Sequence, residues 1–190
     1  MCGISGIIGS HLNESKLMSM VKVLHHRGPD DNGYYINKDK SVGLGHNRLS
    51  IIDLSKDGHQ PMSNNDKTCW ITFNGEIYNY SELKKQLSNY TFKSKTDTEV
   101  IIAAYERWGE KCVNYFNGMF AFAIWDEKKK KLFCARDRVG IKPFYYTKNG
   151  DSFMFASEIK ALLSAGCVAK PNWKIWSEYL LNGLYDHSNE

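Results

Sequence analysis

Met1-Cys2-Gly3-Ile4-Ser5-Gly6-Ile7-Ile8-Gly9 opens the chain, and its reading decides both the fold and the chemistry. Ile4, Ile7 and Ile8 among small residues form a short apolar run, so the stretch is predicted to be a buried strand rather than a frayed end. Removal of one methionine would make Cys2 the N-terminus. A thiol titrating near ~8.5 and an α-amine near ~7.7–8.0 would then share one residue, nucleophile and proton acceptor together. The bland alternative is an ordinary cysteine near a chain end, and only partners further along the chain separate the two.

The bulk composition narrows the setting. With 190 residues and 42% hydrophobic content, the chain is long enough for one well-buried domain. The formal charge of +4 comes from 25 basic and 21 acidic residues dispersed along the sequence, which fits solubility and gives no nucleic-acid groove. The basic cluster Lys128-Lys129-Lys130-Lys131 is predicted to be a solvated hairpin turn. Cys2, Cys69, Cys112, Cys134 and Cys167 are odd in number, widely spaced and without zinc-ligand spacing, which points to a reducing, cytoplasmic setting and no metal. No run approaches the ~20 apolar residues of a membrane span, and no targeting segment is evident.

Outward from the first strand, Leu17, Val21 and Leu24 recur at helical spacing and predict a helix from about residue 15, stopped by Arg27-Gly28-Pro29-Asp30. Residues 34–36, 42–46, 49–52 and 69–73 read as strands, with 53–67 as a polar functional loop. Ser81 is expected to cap a helix to about Leu87, and Thr96 with Glu99 to form a capping box for a helix ending before Gly109. Residues 119–126, 132–137, 144–147 and 153–156 read as four more strands, expected to form a second antiparallel sheet. Ser157 is expected to cap a short helix ending at Gly166, followed by Trp173, Trp176, Tyr179, Leu180 and Leu181 near the C-terminus. Two sets of strands with helices between them predict stacked sheets covered by helices.

Four residues stand out chemically. Asn74-Gly75 is the sequence of a type I′ hairpin turn, but residues 77–81 lead toward a helix and offer no return strand. A side-chain amide beside a glycine N–H would instead supply two neutral donors for an oxyanion. Arg48 reads either as a structural ion-pair member or as a fork for a carboxylate. Asp97 reads either as a first-turn carboxylate favoured by the helix dipole or as a partner for an ammonium. Thiol, oxyanion donors, cation and carboxylate together fit an amino acid attacked at a side-chain carbonyl.

Met1 to Ile7, His26-Arg27-Gly28-Pro29-Asp30, the run from Gly45 to Asp53, Phe73-Asn74-Gly75-Glu76-Ile77-Tyr78-Asn79 and Thr96-Asp97-Thr98-Glu99 occur in that order. They are followed by Asn117-Gly118-Met119-Phe120-Ala121-Phe122-Ala123, the run from Ala135 to Pro143, and Ser157-Glu158-Ile159-Lys160-Ala161-Leu162. This ordered set resembles the glutaminase domain of class II glutamine amidotransferases, specifically the asparagine synthetase branch. The resemblance implies an α+β N-terminal-nucleophile hydrolase fold, a four-layer αββα sandwich of two antiparallel sheets between helices. It matches Cys2 to the nucleophile, and Asn74 and Gly75 to the oxyanion hole. Arg48 matches the clamp on the glutamine α-carboxylate, Glu76 and Asp97 the groups around its α-amine, and Leu49, Ser50, Ile51 and Ile52 the segment lining the pocket. Arg27 and Asp30 are assigned a structural or loop-ordering role.

The implied reaction is hydrolysis of L-glutamine through a Cys2 thioester, with the freed α-amine relaying the thiol proton to departing ammonia. A Cys-His hydrolase would need a histidine aimed at the thiol; His26 and His46 lie in matched motifs, but the amine makes neither necessary. The chain contains no Ser-Gly-Gly-x-Asp-Ser or Gly-x-x-x-x-Gly-Lys loop. Residues 1–165 are therefore read as the glutaminase domain, and 166–190 as the approach to a C-terminal synthetase domain. The glutaminase half is expected to need no cofactor, ATP and Mg belonging to that further domain. Expected partners are glutamine and the linked synthetase domain, with no nucleic acid and no membrane, and a homodimer is left open. The rivals are a related amidotransferase with a different acceptor and a non-catalytic docking or sensing domain.

Overall fold

A computed structural model describes residues 1–10 and 12–183. Among the described residues, nine strands form two antiparallel sheets. The first has the order β2-β3-β1-β9-β8, from Asp31–Ile36, Val42–Arg48, Gly3–Ile8, Ser152–Ala156 and Tyr145–Asn149. The second has the order β4-β5-β6-β7, from Met62–Ser63, Cys69–Ile77, Gly118–Asp126 and Lys131–Arg136. The helices are α1 (Glu14–Val23), α2 (Tyr80–Gln86), α3 (Asp97–Trp108), α4 (Ile159–Ser164) and α5 (Trp173–Asn182).

Three apolar layers hold these pieces together. Ile7, Met154 and Ala156 on the outer face of the first sheet pack with Leu17 and Met20 of α1 and Leu162 of α4. Ile71, Phe73, Phe120 and Phe122 on the outer face of the second pack with Val100, Ile101 and Ala104 of α3. Between the sheets lie Ile4, Val42, Leu44, Ala121, Ala123, Trp125 and Phe155. The order helix, sheet, sheet, helix is the predicted four-layer α+β sandwich. It follows from the two-residue period of the strands, which gives each sheet two apolar faces. Gly6 belongs to the same logic, because a Cβ there would strike the Phe155 ring.

The first strand is internal, paired through Gly3↔Asn47 on one side and Ser5↔Ala156 on the other. Several local expectations are corrected. The four late strands do not form one sheet: β6 and β7 extend the second, whereas β8 and β9 return to pair with β1 in the first. Residues 49–52 are not a strand but an irregular segment after β3. Asn74-Gly75 is not a turn or tight loop; both residues lie within β5, opposite Ala121 and Phe120 of β6. Long-range pairing overrides the local turn preference there.

Neither Ser81 nor Ser157 caps a helix. Asn79 precedes α2 with no side-chain cap, and the Ser157 hydroxyl accepts the Ile4 N–H at 2.9 Å. The capping box before α3 is half formed. Thr96 Oγ1 accepts Glu99 N–H at 3.3 Å, but the Glu99 carboxylate accepts from Lys93 and Ser94 N–H.

Phe155 is fully buried and stacks on Phe144 at 5.1 Å between the sheets. Phe155→Ala should lower the unfolding free energy by about 3–5 kcal/mol. Urea titration checks this value, and a loss below about 1 kcal/mol would show that the layer can collapse into the space.

Candidate active site

Strand parity gathers the side chains. Ile4 of β1, Val42 and Leu44 of β3, and Ala121 and Ala123 of β6 face the other sheet, so the even positions of β1 and β3 point inward. Arg48, on this parity at the end of β3, and Cys2, immediately before β1, share that side. On β5, Phe73 and Ile77 face α3, which turns Thr72, Asn74 and Glu76 inward. Because β1 and β3 are antiparallel, the start of one meets the end of the other, and these groups converge at one mouth of the intersheet layer.

That mouth is a cleft of about 140 Å³ lined by Cys2, Arg48, Leu49, Ile51, Ile52, Asn74, Gly75, Glu76 and Asp97. Ser50 is absent from its lining; its backbone N–H donates to Asp30 Oδ2 at 2.7 Å. Asp30 therefore orders the segment after β3. Arg27 acts on the other side, its Nε donating to the Cys2 carbonyl at 2.9 Å while Nη1 bonds Glu158 at 3.0 Å. Both roles agree with the structural reading of the two residues.

The Cys2 sulfur accepts the Leu49 N–H at 3.4 Å. Burial raises the thiol pKa above its ordinary value, Asp97 adds to that rise, and the Leu49 N–H, the chain's amino terminus and Arg48 oppose it. No described histidine lines the cleft. His46 is buried with Nε2 3.0 Å from the Phe73 carbonyl. Burial above all pushes its pKa down to about 3, so the ring is neutral and donates through Nε2. His26 pairs with Glu158 at 2.9 Å. The thiol thus has no imidazole partner among the described residues.

The open edge of β5 supplies the donors. Past Ile71 the short β4 no longer pairs with it, and the outward-pointing N–H groups recur at every second residue. Phe73 N–H is taken by Gln60 Oε1 at 2.7 Å, and Ile77 N–H by Asp97 Oδ2 at 2.9 Å. Gly75 lies between them on the same edge, and its N–H has no acceptor among the described residues. The next side chain adds a second free donor, since Asn74 Nδ2 is buried without a hydrogen-bond partner. Glycine is required at 75 because a Cβ would meet the Met119 carbonyl and Phe120 Cα of β6.

Arg48 makes no ion pair with a described carboxylate. Its Nη1 donates to the Ser55 carbonyl at 2.7 Å and Nη2 to the Asp53 carbonyl, and Gly58 admits the guanidinium where any Cβ would collide with it. Carbonyl braces leave its charge uncompensated and other donors unused. Asp97 opens α3, and burial, aided by Glu76, lifts its pKa to about 6 against the N–H bonds of Ile77, Thr98 and its own backbone.

A profile of the family described as glutamine amidotransferase domain matches residues 1–189. The chain belongs to this family. It is 46% identical over 173 residues to asparagine synthetase [glutamine-hydrolyzing] 1 of Bacillus subtilis, covering 87% of this chain and 27% of that protein. It is 36% identical over 208 residues to amidase chry2 of Gibberella zeae, covering 97% and 31%. The chain thus spans about a third or less of the length of these relatives. A solved glutamine phosphoribosylpyrophosphate amidotransferase from B. subtilis has a TM-score of 0.74 at 24% identity, over 87% of this chain and 44% of that one, which shows a shared fold.

Sequence reasoning missed Gln60, which seals the β5 edge and bonds Thr98 Oγ1 at 3.2 Å, and Lys142, which also lines the cleft. Gln60 has no local signature, whereas Lys142 lay in a matched motif without a role. Among the described residues no group of three or more His, Cys, Asp or Glu side chains is arranged to hold a metal. No described helix is long and apolar enough to cross a membrane.

The Asp97 shift carries a stability sign. Its folded pKa of about 6 exceeds the ordinary 3.8, so the folded state holds the proton more tightly and stability falls as the pH rises through that interval. Asp97→Asn should therefore be more stable than wild type at pH 7.5, by up to about 3 kcal/mol, with the advantage vanishing near pH 4. Urea unfolding at both values checks this; a difference independent of pH would contradict it.

Proposed function

We propose that this chain hydrolyses L-glutamine to glutamate and ammonia through a Cys2 thioester. The observation that carries this reading is the pair of unanswered donors, Gly75 N–H and Asn74 Nδ2, in the same cleft as the Cys2 sulfur. Neutral donors held in place without an acceptor are what a developing oxyanion needs. With Met1 removed, the Cys2 α-amine takes the thiol proton as sulfur bonds to the δ-carbon. The tetrahedral carbon then expels the amide nitrogen, which leaves as ammonia with that proton. Water next attacks the thioester, the carbon–sulfur bond breaks, and the thiol is restored as glutamate departs.

The charged ends of the cleft suit the rest of the substrate. Arg48 is fixed by carbonyl oxygens and keeps its charge for the α-carboxylate. Asp97 and Glu76, with the backbone of the segment from Leu49 through Ser50 to Ile52, are assigned to the α-amino end and the pocket wall. We also assign residues 1–165 to the glutaminase unit and 166–190 to the approach to a synthetase domain. In support, α4 packs into the core through Ala161 and Leu162, whereas no residue of α5 is buried. In the longer protein the ammonia would serve ATP-dependent amidation of aspartate. That acceptor is favoured by the similarity to glutamine-hydrolysing asparagine synthetases.

Cys2→Ala should abolish glutamate release while leaving glutamine binding measurable by calorimetry; wild-type turnover by the verified variant would refute the thioester. Arg48→Ala should mainly raise KM, and Asn74→Ala should lower kcat about 10²–10³-fold. Steady-state kinetics separate the two, and an unchanged kcat for Asn74→Ala would remove that amide from the oxyanion hole.

Because Asp97 takes up a proton near its pKa of about 6, KM for glutamine should climb as the pH falls through that value. A flat KM from pH 7.5 to 5 would dissociate Asp97 from the substrate ammonium.

A further inference from the structure

Lys142 is a buried cation that the chemistry above does not use. The bend after β7 fixes its backbone. Asp137 accepts the N–H groups of Phe120 at 3.2 Å, Ile141 at 2.8 Å and Lys142 at 3.0 Å, and Arg136 Nε donates to the Lys142 carbonyl at 2.6 Å. From that bend the side chain runs inward to the cleft, with only 4% of the residue exposed. Its Nζ lies 2.9 Å from the Met1 sulfur, and it makes no ion pair with a described carboxylate. A thioether is a weak acceptor, and a buried ammonium needs a strong one or a nearby negative charge. Met1 therefore covers a cation whose natural counterpart is something else in the cleft.

We propose that Lys142 is a charge-positioning residue: the Met1 thioether covers its ammonium in the unprocessed chain, and once Met1 has gone it faces the Cys2 amine and thiol. A fixed positive charge there disfavours the protonated amine and favours the ionised thiol, so it leaves the amine free to accept the thiol proton. This inference rests on the Cys2 reading given above. The surrounding charges are consistent with it. Burial and Arg27 lower the Lys142 pKa, while Glu76, Asp137 and Cys2 raise it. The chain's amino terminus, Arg48 and Asp97 also act on the thiol, the first two lowering its pKa and the last raising it. Arg48 is braced against the 53–55 loop, which leaves Lys142 to bias the amine end.

The test uses Met1-processed protein carrying Lys142→Met, Lys142→Gln or Lys142→Arg. The rate of Cys2 alkylation by iodoacetamide is measured against pH without glutamine and read at the Cys2 peptide by mass spectrometry. The midpoint should rise by roughly one pH unit in the two neutral variants and stay near wild type in Lys142→Arg. The acid limb of kcat/KM for glutamine should move with it. A midpoint unchanged in whichever neutral variant retains wild-type thermal unfolding would overturn the proposal, even with glutaminase activity intact. A shifted midpoint in a protein that releases no glutamate would uphold the electrostatic role and refute the glutaminase reading instead.

Discussion

The position of the first sheet over the second fixes everything at the cleft, and two buried polar links set that position. Thr72 Oγ1 of β5 donates to the Gly45 carbonyl of β3 at 2.9 Å, and His46 Nε2 of β3 meets the Phe73 carbonyl of β5 at 3.0 Å. An apolar layer alone tolerates sliding, because dispersion has little directional preference. A buried hydrogen bond does not, since an unpaired carbonyl or ring N–H in that layer is penalised by about 1–3 kcal/mol. Arg48 lies two residues beyond His46, and Asn74 follows Phe73 directly. The pairing Gly3↔Asn47 then sets β1, and with it Cys2, against the same reference. Burial keeps His46 neutral, its pKa pushed down to about 3, so the ring stays uncharged at neutral pH.

The two-residue period does the remaining construction. Inward parity on β1, β3 and β5 turns Cys2, Arg48, Asn74 and Glu76 to one side. Edge parity on β5 produces donors at 73, 75 and 77, of which Gln60 and Asp97 close the first and last. The donor at Gly75 is available because β4 stops short and because glycine lets β6 approach. A one-residue slip of β5 against β6 would exchange its faces and point the 74 and 76 N–H groups outward in place of 75. The geometry of the cleft and the strand register are therefore one property of this fold.

This explains what was legible in the sequence. The strand at the start of the chain, the helix from about residue 15 and the helix after Thr96 follow from local pattern, and all are present. Sheet membership is not local. The late strands 144–147 and 153–156 look like their predecessors in composition, but β9 carries Phe155 into the layer that β1 needs filled. The apolar run 49–52 looks like a strand, yet its backbone is directed to the Cys2 sulfur and Asp30. Ser157 has the composition of a cap, but its hydroxyl answers the Ile4 N–H, a partner 153 residues away. At the cleft, side chains with distinctive chemistry could be named from the sequence. Groups that act through a distant contact, such as Gln60 and Lys142, needed the fold.

The distribution of charge in the cleft also separates binding from chemistry on the proposed reading. Arg48 and Asp97 stand where the amino acid is charged from the moment it enters, so their attraction is the same in the ground state and the transition state. Such contacts raise affinity without lowering the barrier of the bound complex. Asn74 and Gly75 are neutral and stand where the substrate amide is neutral too, and negative charge appears there only as sulfur adds. Their donors gain strength in the transition state alone, and the absence of any described partner for them means that no protein–protein hydrogen bond must break first. Burial raises the pKa of both the Cys2 thiol and Asp97, toward their uncharged forms. With a pKa of about 6, Asp97 is a carboxylate at neutral pH, and a substrate ammonium beside it would hold that form down to lower pH, which ties ionisation of the site to occupancy.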